Sequence, residues 1–287
     1  MKTNEGQAAG MTGSREFNQG GDSKKTGELV LICSAVGGVG KTAITANLAI
    51  LLTKQTLRTV IVDGNLQFGD IALALDIDPV ITIKEVVEQN GSQNITEYCL
   101  LHKSGIRLLA GPTRPEYAEL ITADALASAT EAVRKLADVV LVEVSPGFTE
   151  QNMLLMDKAD SIILVTTPGM PALKNTKLMI ETLASLGMQN KISLIVNKSD
   201  APSIMTSPDI SELFQIERTS FLPYFPKEIA HSMDIGVPLT VGNPKHRFSK
   251  QLQKLADQHF SSRLPADIPE KRRIRDRFKS VKHSSKI

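Results

Sequence analysis

The sequence predicts an α/β fold in which a doubly wound, mainly parallel sheet of about seven strands carries helices on both faces. Apolar runs rich in Val, Ile and Leu recur along the chain without regular polar alternation, which is typical of strands covered on both faces. Helical patterns separate these runs, so the units are strand–helix–strand with right-handed crossovers. With 287 residues, the chain is long enough for one such domain of roughly 200 to 250 residues.

The individual strands and helices follow from the positions of these patterns. Thr122 is placed to cap the helix that follows it, and Ser207 is predicted to cap another helix whose first residue is Pro208. The predicted strands cover residues 29–34, 59–63, 106–110, 139–144, 161–166, 192–197 and 220–224. The predicted helices include residues 43–53, 123–136, 174–186 and 250–259.

Composition divides the chain into three parts. Residues 1–27 are rich in Gly, Ser, Asn and Lys without an apolar pattern, so we expect a disordered leader. We expect residues 28–264 to form the folded domain and residues 265–287 a basic tail. Residues 270–287 include eight basic and two acidic side chains, whereas the rest of the chain has a net charge of −4. This asymmetry favours an anionic partner for the tail rather than for the whole surface.

The tail also has the pattern of a short interfacial helix. Ile274, Phe278 and Val281 would form a narrow apolar stripe on a helix, with arginines and lysines on its flanks. This pattern favours contact with an anionic membrane surface. A solvated tail, or one that binds an acidic protein or nucleic acid, is the alternative.

Two cysteines and the absence of long apolar segments bear on the cellular compartment. Cys33 and Cys99 both lie in apolar surroundings, which predicts buried thiols in a reducing compartment rather than a disulfide framework. No cluster of metal ligands is visible in the sequence. The N-terminal residues lack the apolar core of a signal peptide, and no run approaches the roughly 18 apolar residues of a membrane span. We therefore expect a cytoplasmic protein, with the tail as a candidate for peripheral contact at the inner face of the cell membrane.

A glycine-rich turn follows the first predicted strand, in the segment SAVGGVGKTA at residues 34–43. Gly37, Gly38 and Gly40 allow the backbone to approach a phosphate closely, and the start of the next helix adds its positive end. Lys41 would reach the β- and γ-phosphates, while the Thr42 hydroxyl would bind Mg²⁺. The motif has Ala35 where the first glycine of G-x-x-x-x-G-K-[ST] is expected. A strand-to-helix turn that binds no nucleotide is the alternative interpretation.

Several stretches resemble a known family. The segment GGVGKT and the following AITANLA resemble the deviant Walker A motif of the MinD/ParA family of P-loop ATPases. Three later stretches, VDGNLQFGDIALALDI, LLAGPTRPEYAELIT and ILVTTPGMPALKNTK, resemble the CpaE/TadZ branch, which is associated with pilus assembly and polar positioning. The resemblance covers residues 29–260 and implies a P-loop NTPase fold, ATP and Mg²⁺ as cofactors, and a nucleotide-dependent homodimer. It also suggests pilus or polar-assembly proteins as partners.

The resemblance implies a set of site residues as well. Lys41, Asp63 and Asn65 would be catalytic, and the metal would be bound by Thr42, Asp63 and Glu143. Gly147 would offer its backbone N–H to the γ-phosphate. The nucleotide-binding residues would be Gly37, Gly38, Val39, Gly40, Lys41, Thr42, Ala43, Gly147 and Asn197.

Three positions depart from the family pattern and predict slow or impaired hydrolysis. Val36 replaces the signature lysine that reaches the partner subunit's phosphates, so a charge-assisted contact of about 1.5 to 3 kcal/mol is missing. Asn65 replaces the second aspartate of D-x-D, and its amide can position a water without supplying a carboxylate. Glu143 stands where an aspartate is usual, which keeps the charge on a longer side chain.

The segment Asn197-Lys198-Ser199-Asp200 matches N-K-x-D, which resembles the guanine-reading loop of GTPases. There the aspartate would bind guanine N1–H and N2–H₂, and the loss of such a contact discriminates strongly between bases. The alternative is a plain loop in which Asn197 faces adenine, as in the ATPase family. The agreement of the other motifs with the ATPases favours adenine.

These features favour a nucleotide-dependent dimeric switch of the MinD/ParA/CpaE type. A non-hydrolysing scaffold of a pilus or polar assembly, in which bound nucleotide only stabilises the fold, is the first alternative. A partition ATPase that binds DNA without sequence preference is a weaker one, because the positive charge is concentrated in the tail. Specific nucleic-acid binding is not expected. A P-loop kinase is the weakest alternative, since few arginines follow Arg114 to form a phosphate-clamping lid.

Overall fold

The computed structural model describes residues 26–263, which form one mainly parallel sheet of eight strands. The predicted leader and tail fall almost wholly on residues 1–25 and 264–287, outside the described residues. Gly27, at the expected end of the leader, is already joined to the body, because its N–H donates to the Arg134 carbonyl at 3.0 Å.

Seven of the eight strands are parallel, and the order across the sheet is β3-β4-β2-β5-β1-β6-β7-β8. The strands are β1 (Glu28–Cys33), β2 (Thr59–Gly64), β3 (Leu100–Leu101), β4 (Arg107–Leu109), β5 (Val139–Val144), β6 (Ser161–Thr166), β7 (Ile192–Val196) and β8 (Thr219–Phe221). The predicted fold class is confirmed, but the strand count was one too low. The missed strand, β3, has two residues and pairs antiparallel with β4 at the sheet edge, so it left no apolar run to detect.

Helices connect the strands. The α-helices within residues 26–263 are α1 (Lys41–Lys54), α2 (Ile71–Ala74), α3 (Ile83–Glu88), α4 (Ala123–Arg134), α5 (Glu150–Lys158), α6 (Met170–Ser185), α7 (Ser207–Phe214), α8 (Pro226–Asp234), α9 (Leu239–Gly242) and α10 (Arg247–His259). The described part of the chain also has four short 3₁₀ segments, at Gly91–Tyr98, Pro115–Leu120, Gln189–Lys191 and Ser261–Arg263. None of the helices in this part of the chain combines the length and apolar character of a membrane-crossing helix.

The helix ends differ from prediction in ways that capping explains. Thr122 caps α4 as predicted, since its hydroxyl accepts the Ala125 N–H at 3.1 Å. The predicted cap of α7 was one residue late. Thr206 is the cap and forms a reciprocal pair with Asp209, so Ser207 is already helical and Pro208 is the second helical residue. Helix α1 begins at Lys41 rather than residue 43, because the left-handed Gly40 ends the preceding loop.

Alternate side chains of the strands pack on the two faces of the sheet. Leu29 and Leu31 of β1 face the layer that contains α3, α4, α5, α6 and α7. Val30 and Ile32 of the same strand face the layer that contains α1, α2, α9 and α10. Both layers are fully buried apolar cores, which accounts for the near-continuous apolar character of the strands.

The strand order places the end of β1 at the centre of the sheet. Strand β1 lies between β5 and β6; the chain leaves β1 toward β2 in one half of the sheet, whereas it leaves the adjacent β5 toward β6 in the other half. Such a switch point opens a crevice beyond the carboxyl ends of the strands, where open α/β sheets bind ligands. The glycine-rich segment begins at this position.

Candidate functional site

The phosphate loop, residues 34–40, connects β1 to α1. Gly38 and Gly40 have φ angles of 73° and 92°, in the left-handed region that glycine adopts without strain. A Cβ at Gly40 would lie 2.5 Å from Asn197 Nδ2. Both this close approach and the left-handed backbone therefore disfavour any residue larger than glycine here. Gly37 and Gly38 are exposed, whereas the Val39 side chain is 2 % exposed and anchors the loop to the core.

Consecutive backbone N–H groups of this loop have no hydrogen-bond acceptor among the described residues. Within residues 26–263, the N–H groups from Gly37 to Ala43 donate no hydrogen bond. The last of these amides belong to the first turn of α1, whose positive end points toward the same region. Successive amides of this kind form an anion-binding concavity, which fits a phosphate group.

Lys41 adds a buried cation beneath the loop. Its side chain is largely buried, and Nζ donates to Ser34 Oγ at 3.0 Å, while the Ser34 hydroxyl donates to the Val36 carbonyl at 2.8 Å. Burial lowers the pKa of Lys41, and the nearby Glu143 carboxylate opposes that shift. The ammonium group is therefore positioned by the loop itself, ready for an anion.

Two buried carboxylates lie on neighbouring strands beside the loop. Asp63 of β2 and Glu143 of β5 occupy the same register position in the parallel pair, and each is 3 % exposed. Burial, and secondarily the charge of Glu143, raises the pKa of Asp63 to about 8. Burial also raises the pKa of Glu143. Two such groups without a cation are electrostatically unfavourable, so this pair favours a bound cation.

The donor set fits Mg²⁺, whose preferred protein ligands are oxygens. The Thr42 hydroxyl donates to Glu143 Oε1 at 2.7 Å, whereas the buried Glu143 Oε2 has no hydrogen-bond partner. A buried carboxylate oxygen without a partner is costly, and a metal ion with its waters would satisfy it. Thr42 and Glu143 lie together, with Asp63 on the adjacent strand, and their role as metal ligands stays a prediction.

Two predicted site residues have their polar groups committed elsewhere. The Asn65 amide donates to the Phe68 carbonyl at 2.7 Å, which closes a turn over the end of β2. The Gly147 N–H donates to the Ser34 carbonyl at 2.9 Å. In this conformation neither group is free to contact water or a γ-phosphate, so each would have to exchange its partner when nucleotide binds.

The loop after β7 contacts the phosphate loop directly. Asn197 Nδ2 donates to the Val39 carbonyl at 2.8 Å, and Lys198 Nζ donates to the Gly38 carbonyl at 3.1 Å. Asp200 Oδ1 accepts the Tyr224 N–H at 2.6 Å, and Oδ2 lies 3.7 Å from Arg247 Nη1. The carboxylate that would read guanine is thus engaged by protein groups.

Sequence reasoning missed two participants in this site. Ser34 connects Lys41 to the loop, and Lys198 holds the Gly38 carbonyl. A hydroxyl residue directly after a buried strand was a signal for Ser34. Lys198 was named only as part of the N-K-x-D match, and its contact with Gly38, 160 residues away in sequence, was not predicted. The isopropyl side chain of Val36 packs half-buried against the core and supplies no polar group to the loop.

Comparison with known proteins identifies the domain. The family model described as the CobQ/CobB/MinD/ParA nucleotide binding domain matches residues 30–234, which include the phosphate loop and both carboxylates. The chain belongs to this family. The predicted MinD/ParA relationship and nucleotide-binding role are therefore confirmed at the family level. The finer resemblance to the CpaE/TadZ branch stays a prediction.

Relatives and solved structures agree with this family assignment. The septum site-determining protein MinD of Thermotoga maritima is 26% identical over 250 residues, which is 84% of this chain and 91% of the relative. The cell division ATPase MinD of Pyrococcus furiosus superposes with a TM-score of 0.75 at 22% identity, covering 82% of this chain and 99% of that one. MinD of Pyrococcus horikoshii OT3, solved with Mg-ADP, has a TM-score of 0.72 at 23% identity. The match covers 81% of this chain and 95% of that one. These superpositions show the shared fold of this nucleotide-binding family.

Proposed function

We propose that this member of the family is a nucleotide-dependent switch that binds ATP with Mg²⁺ and hydrolyses it slowly. The observation that carries the proposal is the row of unpartnered N–H groups from Gly37 to Ala43, which faces no protein acceptor within residues 26–263. Lys41 supplies a positioned cation at the same place. Together these groups provide the donors that the phosphates of a nucleotide require.

Thr42 and Glu143 would bind the magnesium ion, with Asp63 close to them on the neighbouring strand. The unpartnered Glu143 Oε2 supports this assignment. When bound, Mg²⁺ supplies positive charge at the β- and γ-phosphates. Thr42 and Glu143 already share a hydrogen bond, so the protein orients these oxygens before any ligand arrives.

The nucleobase of the proposed ligand is adenine. Asp200 accepts the Tyr224 N–H and lies near Arg247, so its carboxylate serves the loop structure rather than a guanine edge. Asn197 uses Nδ2 for the Val39 carbonyl, which leaves Oδ1 as an acceptor suited to the exocyclic amine of adenine. Preference for ATP over GTP in a competition titration would support this arrangement.

Slow turnover follows from the groups that this chain has near the γ-phosphate position. Val36 offers an apolar side chain packed against the core, and the Asn65 amide is engaged by the Phe68 carbonyl. Neither supplies a carboxylate or a cation, so the chain offers little electrostatic stabilisation of an attacking water. A scaffold without any turnover is the limiting case of this proposal, and measured turnover separates the two.

Exposed apolar side chains surround the same edge of the sheet and support nucleotide-dependent dimerisation. Phe68, Phe148, Met170 and Ile204 follow β2, β5, β6 and β7, and they are 70%, 43%, 53% and 88% exposed. Large apolar side chains exposed along one edge are candidates for an interaction site. We propose that a second copy covers this surface, which we call the apolar rim, when nucleotide is bound.

The cellular role proposed here is positioning of a polar or pilus assembly, and it rests on the resemblance of three sequence stretches to the CpaE/TadZ branch. The most basic part of the tail, residues 270–287, is proposed to contact an anionic membrane surface or an acidic protein. Co-sedimentation of the full chain and of a chain lacking these residues with anionic vesicles separates these partners. Equal sedimentation of both proteins would remove the membrane from the proposal.

Isothermal titration with MgATP tests the proposed function. We expect the wild-type chain to bind MgATP and Lys41→Ala to lose most of the affinity, because the variant removes the cation beneath the phosphate loop. Lys250→Ala, which changes an exposed lysine on α10, is the matched control and should bind as the wild type does. Equal affinity of Lys41→Ala and the wild type would refute the site.

A further inference from the structure

The phosphate loop is held at two consecutive carbonyl groups by two consecutive residues of another loop. Lys198 Nζ donates to Gly38 O at 3.1 Å, and Asn197 Nδ2 donates to Val39 O at 2.8 Å. In each trans peptide the N–H points opposite to the carbonyl of the same group. Holding the carbonyls of Gly38 and Val39 on one side therefore turns the N–H groups of Val39 and Gly40 to the other side.

The backbone at Lys198 is strained in a way that supports this contact. Its φ angle is 56°, in the left-handed region that non-glycine residues seldom adopt. Two backbone hydrogen bonds hold the turn without the side chain, since the Ser199 N–H donates to Leu222 O and the Ala201 N–H donates to Lys198 O, both at 2.9 Å. Strained backbone of this kind persists only where surrounding contacts fix the conformation, and such positions cluster at functional sites.

The surroundings of the Lys198 ammonium group favour a fixed position. Nζ lies 5.8 Å from the centroid of the Tyr224 ring, within the range of a cation–π contact. The Tyr224 N–H is itself held by Asp200, so ring and loop form one unit. The ammonium group has three donors, of which the Gly38 carbonyl uses one.

We propose that Lys198 is a positioning residue for nucleotide binding: its ammonium group fixes the Gly38 peptide so that the free amides of the phosphate loop are ordered before phosphate arrives. This inference rests on the proposed function and adds a residue to that site. Lys198 acts on the ligand through the loop, and its side chain reaches the phosphate loop from the loop that follows β7.

The test compares Lys198→Met, which keeps the aliphatic stem, with Lys198→Arg, which keeps a cationic donor. We expect Lys198→Met to weaken MgATP and MgADP by about tenfold each, the usual effect of one lost charge-assisted hydrogen bond. Lys198→Arg should restore most of the affinity. Lys250→Met on α10 is the matched control and should bind as the wild type does.

Amide order in the nucleotide-free protein supplies a second readout. The ¹⁵N order parameters of Val39 and Gly40 should fall in Lys198→Met and recover in Lys198→Arg, while the melting temperature stays unchanged. Unchanged order parameters, or a loss of affinity for MgATP with none for MgADP, would overturn the inference, because the second result indicates direct contact with the γ-phosphate. A wild-type chain that binds no MgATP would refute the proposed function, and the order parameters would still decide the role of Lys198.

Discussion

Single residues at the ends of adjacent parallel strands create the chemistry of this site. Asp63 and Glu143 share a register position, and burial raises the pKa of both carboxyl groups. The resemblance of their segments to the MinD/ParA pattern singled out both residues, and their role as metal ligands stays a prediction. Contacts within the loops were less predictable. The hydrogen bonds from Lys41 to Ser34 and from the Asn65 amide to the Phe68 carbonyl depend on how the loops fold back.

One half-buried histidine makes stability depend on pH. Burial, with a further contribution from Arg218, lowers the pKa of His259 from 6.5 to about 4. Its Nε2 lies 3.0 Å from the Ser161 hydroxyl. Since the folded pKa is the lower one, the unfolded chain binds more protons between these values. The free energy of unfolding therefore decreases as the pH falls from 6.5 toward 4.

We expect His259 to reduce the free energy of unfolding by about 2 kcal/mol between pH 7 and pH 5. Urea unfolding of the wild type and of His259→Gln at both pH values measures this contribution. The pH-dependent loss should be smaller in the variant by about that amount. An identical loss in both proteins would show that His259 does not carry the effect.

At the scale of the elements, burial and caps determined what the sequence could predict. The strands β5 and β6 were predicted to the residue, because both are continuously buried and mostly apolar. Strand β3 was missed, since two residues carry no period and only pairing with β4 defines it. The start of α6 was predicted four residues late, because Gly169 and Pro171 obscure a helix that begins at Met170.

The cap of α4 gives an element-scale prediction. The Thr122 hydroxyl accepts the Ala125 N–H, and no other side chain within the described residues caps this helix. We expect Thr122→Ala to lower the free energy of unfolding by about 1 kcal/mol, while Thr122→Ser retains the cap. Chemical denaturation measures both. Equal destabilisation by the two substitutions would indicate that the methyl group matters rather than the hydroxyl.

At the scale of the whole molecule, two buried layers fix the sheet and leave its carboxyl edge open. Helices α1 and α10 pack against each other on one face of the sheet, and helices α4 and α5 pack against each other on the opposite face. The phosphate loop, the carboxylate pair and the apolar rim all meet at the remaining edge. The glycine-rich motif predicted a phosphate site where β1 passes into α1, but the sequence did not predict the rim, which only the exposure of its side chains reveals.

The rim gives a prediction about self-association. We expect Phe148→Glu to abolish a dimer that forms with MgATP, because a charge would be buried at the contact. Leu186→Glu is the matched control, since Leu186 is 49% exposed but follows α6 away from the carboxyl edge. Sedimentation velocity with and without MgATP measures the effect. A wild-type chain that stays monomeric in both conditions would contradict dimerisation through the rim.

A single-turnover measurement tests the central claim, that the site binds ATP tightly and hydrolyses it slowly. Excess protein is mixed with MgATP, and bound ATP and ADP are separated and quantified over time. We predict that the nucleotide remains protein-bound as ATP, and that Val36→Lys combined with Asn65→Asp converts it faster, because these changes supply a cation and a carboxylate near the γ-phosphate position. Rapid conversion to ADP by the wild-type chain, or no retained nucleotide, would contradict the account.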